Sequence, residues 1–172
     1  MTEKIIQKKE QIIQAAGKCF RQFGYSKTTF GDIAKTAGIS RALIYSYFKN
    51  KNDLFITMTK NMHNHFQAVS AEILKSDGTD KEKLYKIIDV WIINSYRNFR
   101  NNIHGNDMLD GLVMVSEQTE KRFRKLFMKS IEPIAGKEMA EIIVLSLRGL
   151  MDDRPTVKTL QKRIALLIEK VD

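Results

Sequence analysis

Apolar residues recur at helical spacing along nearly the whole chain of 172 residues. In the first segment Ile5, Ile12, Ala16, Phe20 and Phe23 share one helical face, and the same spacing returns in the later segments. No stretch shows the alternation of apolar and polar residues that marks a half-buried strand. The spacing therefore predicts an all-α fold of about nine helices.

Capping and turn residues indicate where these helices begin and end. Gly24 can close the first helix in the left-handed conformation, and Thr29 with Asp32 opens a short second one. Ser40 can cap a third helix, and Pro155 separates the last two. The first predicted helix ends at Gly24. Further helices are predicted over residues 29–36, 40–48, 50–73, 84–99, 137–151 and 156–171, and one helix or a helix pair fills residues 108–131.

The composition is that of a soluble globular protein, because 43% of the residues are hydrophobic and 28% are charged. The longest nearly apolar run, residues 139–151, is too short to span a bilayer and contains charges. The N-terminal segment mixes charges and has no apolar stretch of signal-peptide length. The single cysteine, Cys19, is compatible with a reducing compartment. We therefore expect a cytoplasmic protein without a membrane partner.

Positive charge is concentrated near the N-terminus. Of the net charge of +9, residues 1–51 carry +7 and the rest of the chain carries only +2. A basic head on a nearly neutral body favours a polyanionic partner, either nucleic acid or an anionic membrane surface. A solvated basic face without a partner is the alternative. We expect two domains, a head over residues 1–51 and a helical body over residues 52–172.

A helix-turn-helix pattern lies at the end of the head. Ala37-Gly38-Ile39 joins two short helices, and glycine can adopt the positive φ that a sharp turn needs. In such a motif the start of the second helix meets base edges in the major groove. Arg41 can donate two hydrogen bonds to guanine, while Ala42 and Leu43 can contact a thymine methyl. A helical hairpin that binds no DNA has the same pattern and stays open as an alternative.

Hydroxyl, aromatic and basic side chains around the motif suit contacts with the DNA backbone. The complete predicted DNA-binding set is Thr28, Thr29, Ser40, Arg41, Ala42, Leu43, Tyr45, Ser46, Tyr47, Lys49 and Lys51.

The segment CFRQFGYSKTTFGDIAKTAGISRALIYSYFKNKNDLF, residues 19–55, resembles the TetR-family (tetracycline-repressor-like) transcriptional regulators. The matched positions stand at fixed spacing without a gap: Phe23-Gly24-Tyr25, Thr28-Thr29, Asp32-Ile33-Ala34, Ala37-Gly38-Ile39-Ser40, Tyr45, Tyr47-Phe48, Lys51 and Leu54. The resemblance implies a homodimer whose two heads enter successive major grooves of a DNA operator. It also implies a C-terminal body that binds a small effector.

By position, the resemblance implies two kinds of DNA contact within the head. The phosphate-binding positions are Thr28, Thr29, Tyr47 and Lys51, and the positions over the bases are Arg41, Leu43, Tyr45 and Ser46. Gly31, Ala42 and Leu43 depart from the residues most frequent in the family. Leu43 stands where a hydroxyl is frequent, which favours a site that reads a thymine methyl.

Two C-terminal helices are apolar on more than one face and must be covered on more than one side. We expect them to pair with their copies in a four-helix dimer interface, with burial inside one larger monomer core as the alternative. The interface residues are Met139, Ile142, Ile143, Leu147, Leu150, Leu160, Ile164 and Leu167.

Methionine and aromatic residues in the body are candidates for an effector pocket, although the same residues at helical spacing also suit a plain core. The candidates are Met62, Phe66, Trp91, Tyr96, Phe99, Met114 and Phe127. A pocket lined in this way would bind a small, largely apolar effector.

No motif for catalysis, phosphate binding or zinc binding occurs in the sequence, so we expect no cofactor and no enzyme activity. His63 and His65 are two residues apart and point to different sides of a helix, which does not suit a metal pair. The sequence therefore predicts a sequence-specific, DNA-binding repressor that is released by its effector. A DNA-binding activator, a regulator without an effector, and a basic protein-interaction or membrane-surface module are the alternatives.

Overall fold

The computed structural model describes residues 3–105, 107 and 117–171, and every regular element in these ranges is helical. The α-helices are α1 (Glu3–Phe23), α2 (Phe30–Ala37), α3 (Arg41–Tyr47), α4 (Lys51–Lys75), α5 (Asp80–Ile88), α6 (Asn94–Arg100), α7 (Glu117–Ala135), α8 (Lys137–Met151) and α9 (Val157–Glu169). The predicted all-α fold is confirmed.

Two details of the helices differ from the sequence prediction. A π-helical segment, Asp89–Ile93, joins α5 to α6 within the helix predicted over residues 84–99. Helix α7 continues through Pro133 to Ala135 and stops at Gly136, whose φ is 73°. Proline is therefore tolerated in the last turn, and the residue with positive φ ends the helix.

The described residues form two compact units. One unit comprises the described residues of 1–61 and 99–117, and the other comprises those of 62–98 and 118–171. The predicted boundary between residues 51 and 52 separates domains of different function, and it stays a prediction. No helix in the described part of the chain is long and apolar enough to cross a membrane.

The first unit has a core built from helices α1 to α4. Ile12 and Phe20 of α1 pack with Ile33 of α2 and Ile44 of α3, and all four are fully buried. Phe55 of α4 closes this core through an edge contact with Phe20, with ring centroids 5.5 Å apart. Phe23, expected in the same core, is instead 39% exposed because it is the last residue of α1. The packing holds α2 and α3 in a fixed relation.

The second unit has its own core, centred on Trp91 in the π-helical segment. The Trp91 indole Nε1 donates to Ser70 Oγ at 2.8 Å, which satisfies the buried polar atom of this side chain. The core also takes residues from α5, α7, α8 and α9. Its fully buried members include Leu84, Ile87, Ile88, Ile93, Ile131, Ala140, Ile143, Leu160 and Ile164.

Candidate nucleic-acid interface

The start of α2 is fixed by a capping box between Thr29 and Asp32. The Thr29 hydroxyl accepts from the Asp32 backbone N–H at 3.3 Å, and the Asp32 carboxylate accepts from the Thr29 N–H at 2.8 Å. The Thr29 hydroxyl also donates to the Asp32 carboxylate at 2.7 Å, and this bond, together with the one from the Thr29 N–H, lowers the pKa of the Asp32 carboxyl group. Thr29 is exposed, so the N-terminus of α2 presents backbone N–H groups beside an accessible hydroxyl.

The turn between α2 and α3 has the geometry that its sequence predicts. Gly38 adopts a φ of 65°, and its N–H donates back to α2. Ser40 caps α3, because its hydroxyl accepts from the Leu43 N–H at 3.1 Å. These local interactions fix where the second helix of the motif begins.

Burial of Ile44 decides which face of α3 is presented to solvent. Ile44 is fully buried against α1 and α2, whereas Arg41, Ala42, Tyr45 and Ser46 are exposed. Leu43 is half-buried and Tyr47 packs partly against the core, so neither side chain stands fully free. Of the predicted base-contacting residues, Arg41, Tyr45 and Ser46 are thus accessible on α3, and Leu43 is only partly so.

Tyr45 is held in place from two sides. Its ring meets Phe30 edge-on with centroids 5.0 Å apart, and Arg41 Nη2 donates to the Tyr45 hydroxyl at 3.1 Å. The Arg41 guanidinium also lies over the Tyr45 ring, at 5.6 Å from its centroid. Tyr45 is nevertheless 50% exposed. Arg41 and Tyr45 therefore form one preorganised polar group at the start of α3.

The ammonium group of Lys51 is hydrogen-bonded within the head. Its Nζ donates to the carbonyl oxygens of Tyr25, Ser26 and Thr28 at 2.7, 3.0 and 3.0 Å. An ammonium group has three donors, so none is left for a phosphate while these bonds persist. Partial burial lowers the pKa of Lys51, and the nearby Asp107 carboxylate opposes that shift. Lys51 therefore stabilises the turn between α1 and α2, and its predicted phosphate contact stays a prediction.

Thr28 also departs from the predicted arrangement. Its side chain is 1% exposed, and its hydroxyl donates to the Gly24 carbonyl oxygen at 2.6 Å. This buried hydroxyl is paired within the turn, and the predicted phosphate contact of Thr28 stays a prediction. Thr28 is thus a structural residue of the same turn.

Several basic side chains of the head remain accessible. Lys49 follows α3 and is exposed, while its backbone N–H donates to the Asp53 carboxylate at 3.0 Å. Lys27 and Lys35, which are not among the predicted DNA-binding residues, are also exposed. The sequence marks these two residues only through the excess of basic residues in the head. That excess does not show where each side chain lies in the fold.

Asp107 approaches the same turn from the segment after α6. Its carboxylate accepts hydrogen bonds from the Ser26 N–H, at 2.9 Å, and from the Ser26 hydroxyl. Burial raises the pKa of this carboxyl group, but the hydrogen bonds from Ser26 outweigh burial and leave the pKa below its ordinary value. Asn102 Nδ2 donates in addition to the Arg21 carbonyl oxygen at 3.1 Å. The segment of residues 99–107 is therefore attached to the turn that Lys51 stabilises.

The predicted pocket residues are not all brought together. Trp91 and Phe127 are buried with ring centroids 5.6 Å apart, and Phe66 packs edge-on against Trp91. Met62 and Tyr96 are half-buried, and the Tyr96 hydroxyl donates to the Pro155 carbonyl oxygen at 2.6 Å.

Phe99 and Met114 are the remaining two candidates for the pocket. Phe99 belongs to the first compact unit, and Met114 lies outside the described residues. A separate open cavity of about 450 Å³ is lined by Ile73, Tyr85, Lys86, Asp89, Val90 and Gln161, and it includes none of the predicted residues. The pocket therefore stays a prediction.

The predicted dimer residues divide by exposure within one chain. Ile143, Leu147, Leu160 and Ile164 are at most 2% exposed and belong to the monomer core. Met139, Leu150 and Leu167 are half-buried, whereas Ile142 is 51% exposed. Leu145 and Leu166, which were not in the predicted set, are exposed to a similar degree. The accessible apolar surface of α8 and α9 thus lies on Ile142, Leu145 and Leu166.

Within the described part of the chain, no three His, Cys, Asp or Glu side chains are grouped closely enough to hold a metal ion. His63 is buried and His65 is exposed, so the two side chains point in different directions, as expected from their spacing. Cys19 is buried in the first core, with its Sγ 3.2 Å from Thr36 Oγ1.

The sequence of the head matches known DNA-binding proteins. Residues 12–58 match the family model described as bacterial regulatory proteins, tetR family. The chain is 40% identical over 78 residues to the fatty acid metabolism regulator protein of Bacillus subtilis. It is also 44% identical over 50 residues to the probable acrEF/envCD operon repressor of Escherichia coli. These matches span 45% and 29% of this chain, and only 40% and 23% of the length of the two relatives.

Solved structures share the fold over nearly the whole chain. The fatty acid degradation regulator FadR from Bacillus halodurans has a TM-score of 0.65 and 17% identity, with 95% of both chains covered. A TetR transcription regulator from Haloarcula marismortui has a TM-score of 0.70 and 19% identity, with 96% of this chain and 98% of the other covered. At these identities the likeness concerns the fold alone.

Proposed function

We propose that the protein, whose residues 12–58 match the tetR family of bacterial regulatory proteins, is a homodimeric repressor that a small, largely apolar effector releases from its operator. The single observation that carries the proposal is the exposed face of α3. Burial of Ile44 fixes the orientation of the helix, and Arg41 with Tyr45 forms a preorganised polar group on its exposed side.

The chemistry of this face fits major-groove recognition. Arg41 presents a guanidinium that can bind a guanine edge with two hydrogen bonds, and Ala42 can contact a thymine methyl. The N-terminus of α2 with Thr29, together with the exposed Lys27 and Lys49, supplies groups for phosphates. Lys51 and Thr28 support this surface indirectly, because they hold the turn that precedes α2.

Repression fits the names of relatives, of which one is a probable operon repressor, and the homodimer fits the exposed apolar residues of α8 and α9. Two identical heads would bind a pseudo-palindromic operator with half-sites about 34–36 Å apart, or one helical turn more. A ligand that binds more tightly to a state with different head spacing would release the DNA.

The covalent path between the two units supports ligand control. Helix α4 runs continuously from Lys51, which holds the turn before α2, into the second unit. Asp107, which follows α6 in the chain, is hydrogen-bonded to Ser26 of the same turn. Lys51 and Asp107 thus both contact the turn that precedes α2. A displacement of this turn would reposition α2 and α3.

Selection from a random duplex library tests the proposal. Purified protein should enrich a pseudo-palindromic sequence at fixed salt over competitor DNA, and Arg41→Ala should change the base enriched at one position in each half-site. Arg124→Ala serves as the control, since Arg124 is an exposed arginine of α7 in the other unit. Enrichment of no sequence, or binding that depends on salt alone, would overturn the proposed function.

A further inference from the structure

Two nitrogen atoms are buried in the second unit without any hydrogen-bond partner among the described residues. They are Nδ1 of His63, on α4, and Nε of Arg122, on α7. Buried polar atoms in folded proteins are nearly always paired, because an unpaired one destabilises the folded state. Two such atoms in one place therefore need an explanation other than stability.

The two side chains belong to one local site. Arg122 Nη2 donates at 2.7 Å to Asn64 Oδ1, and Asn64 is the residue that follows His63. Phe123, next to Arg122, packs against the His63 ring with centroids 5.4 Å apart. The contacts place the Arg122 guanidinium and the His63 imidazole side by side where α4 meets α7.

The surroundings of this polar pair are aromatic. The His63 ring stacks on Trp91 at 6.0 Å, and the Trp91 ring contacts Phe66, Phe123 and Phe127 at 5.4 to 5.6 Å. Burial, together with the adjacent charge of Arg122, lowers the pKa of His63 to about 4. At neutral pH the site therefore combines one fixed positive charge and one neutral imidazole with a wall of aromatic rings.

We propose that His63 Nδ1 and the Arg122 guanidinium bind the acidic head group of an amphipathic organic anion whose apolar chain packs on the Trp91 cluster. The neutral imidazole donates through Nδ1 and the guanidinium donates through Nε to the same anionic oxygens, which pairs both buried atoms. The identification of this anion as the effector rests on the proposed function, whereas the binding site itself does not.

The single tryptophan of the chain makes the test direct, because Trp91 is the centre of the cluster. The full chain is titrated with straight-chain fatty carboxylates of about 8 to 16 carbons, with alkyl phosphates and with alcohols of the same lengths, each below its micellar concentration. We expect saturable changes of tryptophan fluorescence with the carboxylates or the phosphates, and binding of the alcohols that is at least about tenfold weaker. The comparison of the two anions distinguishes a carboxylate ligand from a phosphate ligand. Equal binding of the alcohols, or saturable binding by neither anion, overturns the proposal.

Substitutions separate a ligand site from an incidental polar defect. Arg122→Met and His63→Phe should each weaken anion binding by about tenfold or more, because each removes one donor to a charged group. Neither should lower the thermal stability of the free protein by much, since each removes an unpaired buried atom. Arg124→Met, two residues along the same helix and exposed, is the matched control and should bind the anion normally.

A second pair of variants guards against misfolding of the first. Arg122→Lys and His63→Gln keep polar side chains but change the donor geometry, and they should also weaken anion binding. Unchanged anion binding in all four variants would mean a polar site filled by water only and would overturn the proposal. DNA binding measured without the anion tests the proposed function separately from the anion site. A protein that binds no DNA can still bind the anion, and a protein that binds DNA can fail to bind the anion.

Discussion

Lys51 Nζ lies 4.6 Å from the centroid of the Tyr25 ring and donates to the Tyr25 carbonyl oxygen at 2.7 Å. The contact joins the first residue of α4 to the turn between α1 and α2, and two further carbonyl oxygens of that turn complete the donors of Lys51. A cation whose donors are all hydrogen-bonded within the protein contributes to DNA binding by stabilising the conformation of the head. An exposed cation contributes through the release of counterions from the DNA. The distinction can be measured.

Lys49→Met and Lys51→Met should have different signatures. Loss of the exposed Lys49 should reduce the salt dependence of DNA binding by about one unit and leave thermal stability nearly unchanged. Loss of Lys51 should cost about 1–3 kcal/mol of stability, because the turn loses hydrogen bonds from a charged group, with no such change of the salt slope. Binding isotherms at several salt concentrations, with thermal unfolding of each variant, provide the measurement. A reduced slope for Lys51→Met at full stability would contradict its structural role.

Arg41 should carry sequence preference on the exposed face of α3. Arg41→Ala should weaken binding to the selected operator by about 1–3 kcal/mol and relax the preference at one base pair in each half-site, if the guanidinium reads a guanine. Tyr45→Phe removes only the hydroxyl that accepts from Arg41, so it separates the hydrogen bond from the ring contact. Competition with single-base variants of the operator measures both effects, and uniform weakening at every position would assign Arg41 to phosphate contact instead.

Local chemistry explains which parts of the interface could be predicted from the sequence. The capping box of Thr29 and Asp32, the cap Ser40 and the turn at Gly38 depend on residues within four positions of each other, and each was predicted from its residue type. The contacts of Lys51 could not be predicted, because its three acceptors lie 23 to 26 residues away and backbone carbonyls leave no trace in a sequence.

The body shows a second limit of sequence reasoning. Ile142 and Ile143 are adjacent and chemically identical, yet one is 51% exposed and the other fully buried. A helix that is apolar on several faces indicates that more than one partner surface exists, but the pattern cannot tell which face the same chain covers. The π-helical segment that carries Trp91 was equally unpredictable, because one extra residue in a helical turn produces no compositional signal.

The contact between Ser26 and Asp107 should stabilise the first unit. A double-mutant cycle of Ser26→Ala and Asp107→Ala should give a coupling energy of about 0.5–1.5 kcal/mol, since the Asp107 carboxylate accepts from the Ser26 hydroxyl, which only Ser26→Ala removes without touching the backbone N–H. The exposed pair Glu72 and Lys75 provides a reference cycle, for which we expect about 0.2–0.5 kcal/mol. Urea unfolding measures both cycles, and a coupling energy no larger than the reference would contradict a specific contact.

Protonation of His63 should destabilise the protein in weak acid. The pKa is about 4 in the folded state, against an ordinary value of 6.5, so between these values the unfolded state binds more protons than the folded state. Stability is therefore fully present above about pH 6.5 and falls as the pH drops toward 4, by at most about 1.4 kcal/mol per pH unit from this group. His63→Phe removes the titrating group, so the difference between the unfolding profiles of the two proteins isolates it. His65→Phe, at an exposed histidine of the same helix, is the control and should retain the full decline.

Exposed apolar residues of α8 and α9 should hold the homodimer together. Ile142 and Leu145 are three residues apart and share a face of α8, and Leu166 is exposed on α9. Ile142→Glu and Leu166→Glu should each shift the protein toward monomer while the helical content is retained, because the charge is placed on an accessible surface and leaves the monomer core intact. Sedimentation velocity over a range of concentrations measures the change. Ile103→Glu is the matched control, since Ile103 is 91% exposed outside both helices and should leave the dimer intact. Dimers of unchanged strength in both glutamate variants would place the interface elsewhere on the molecule.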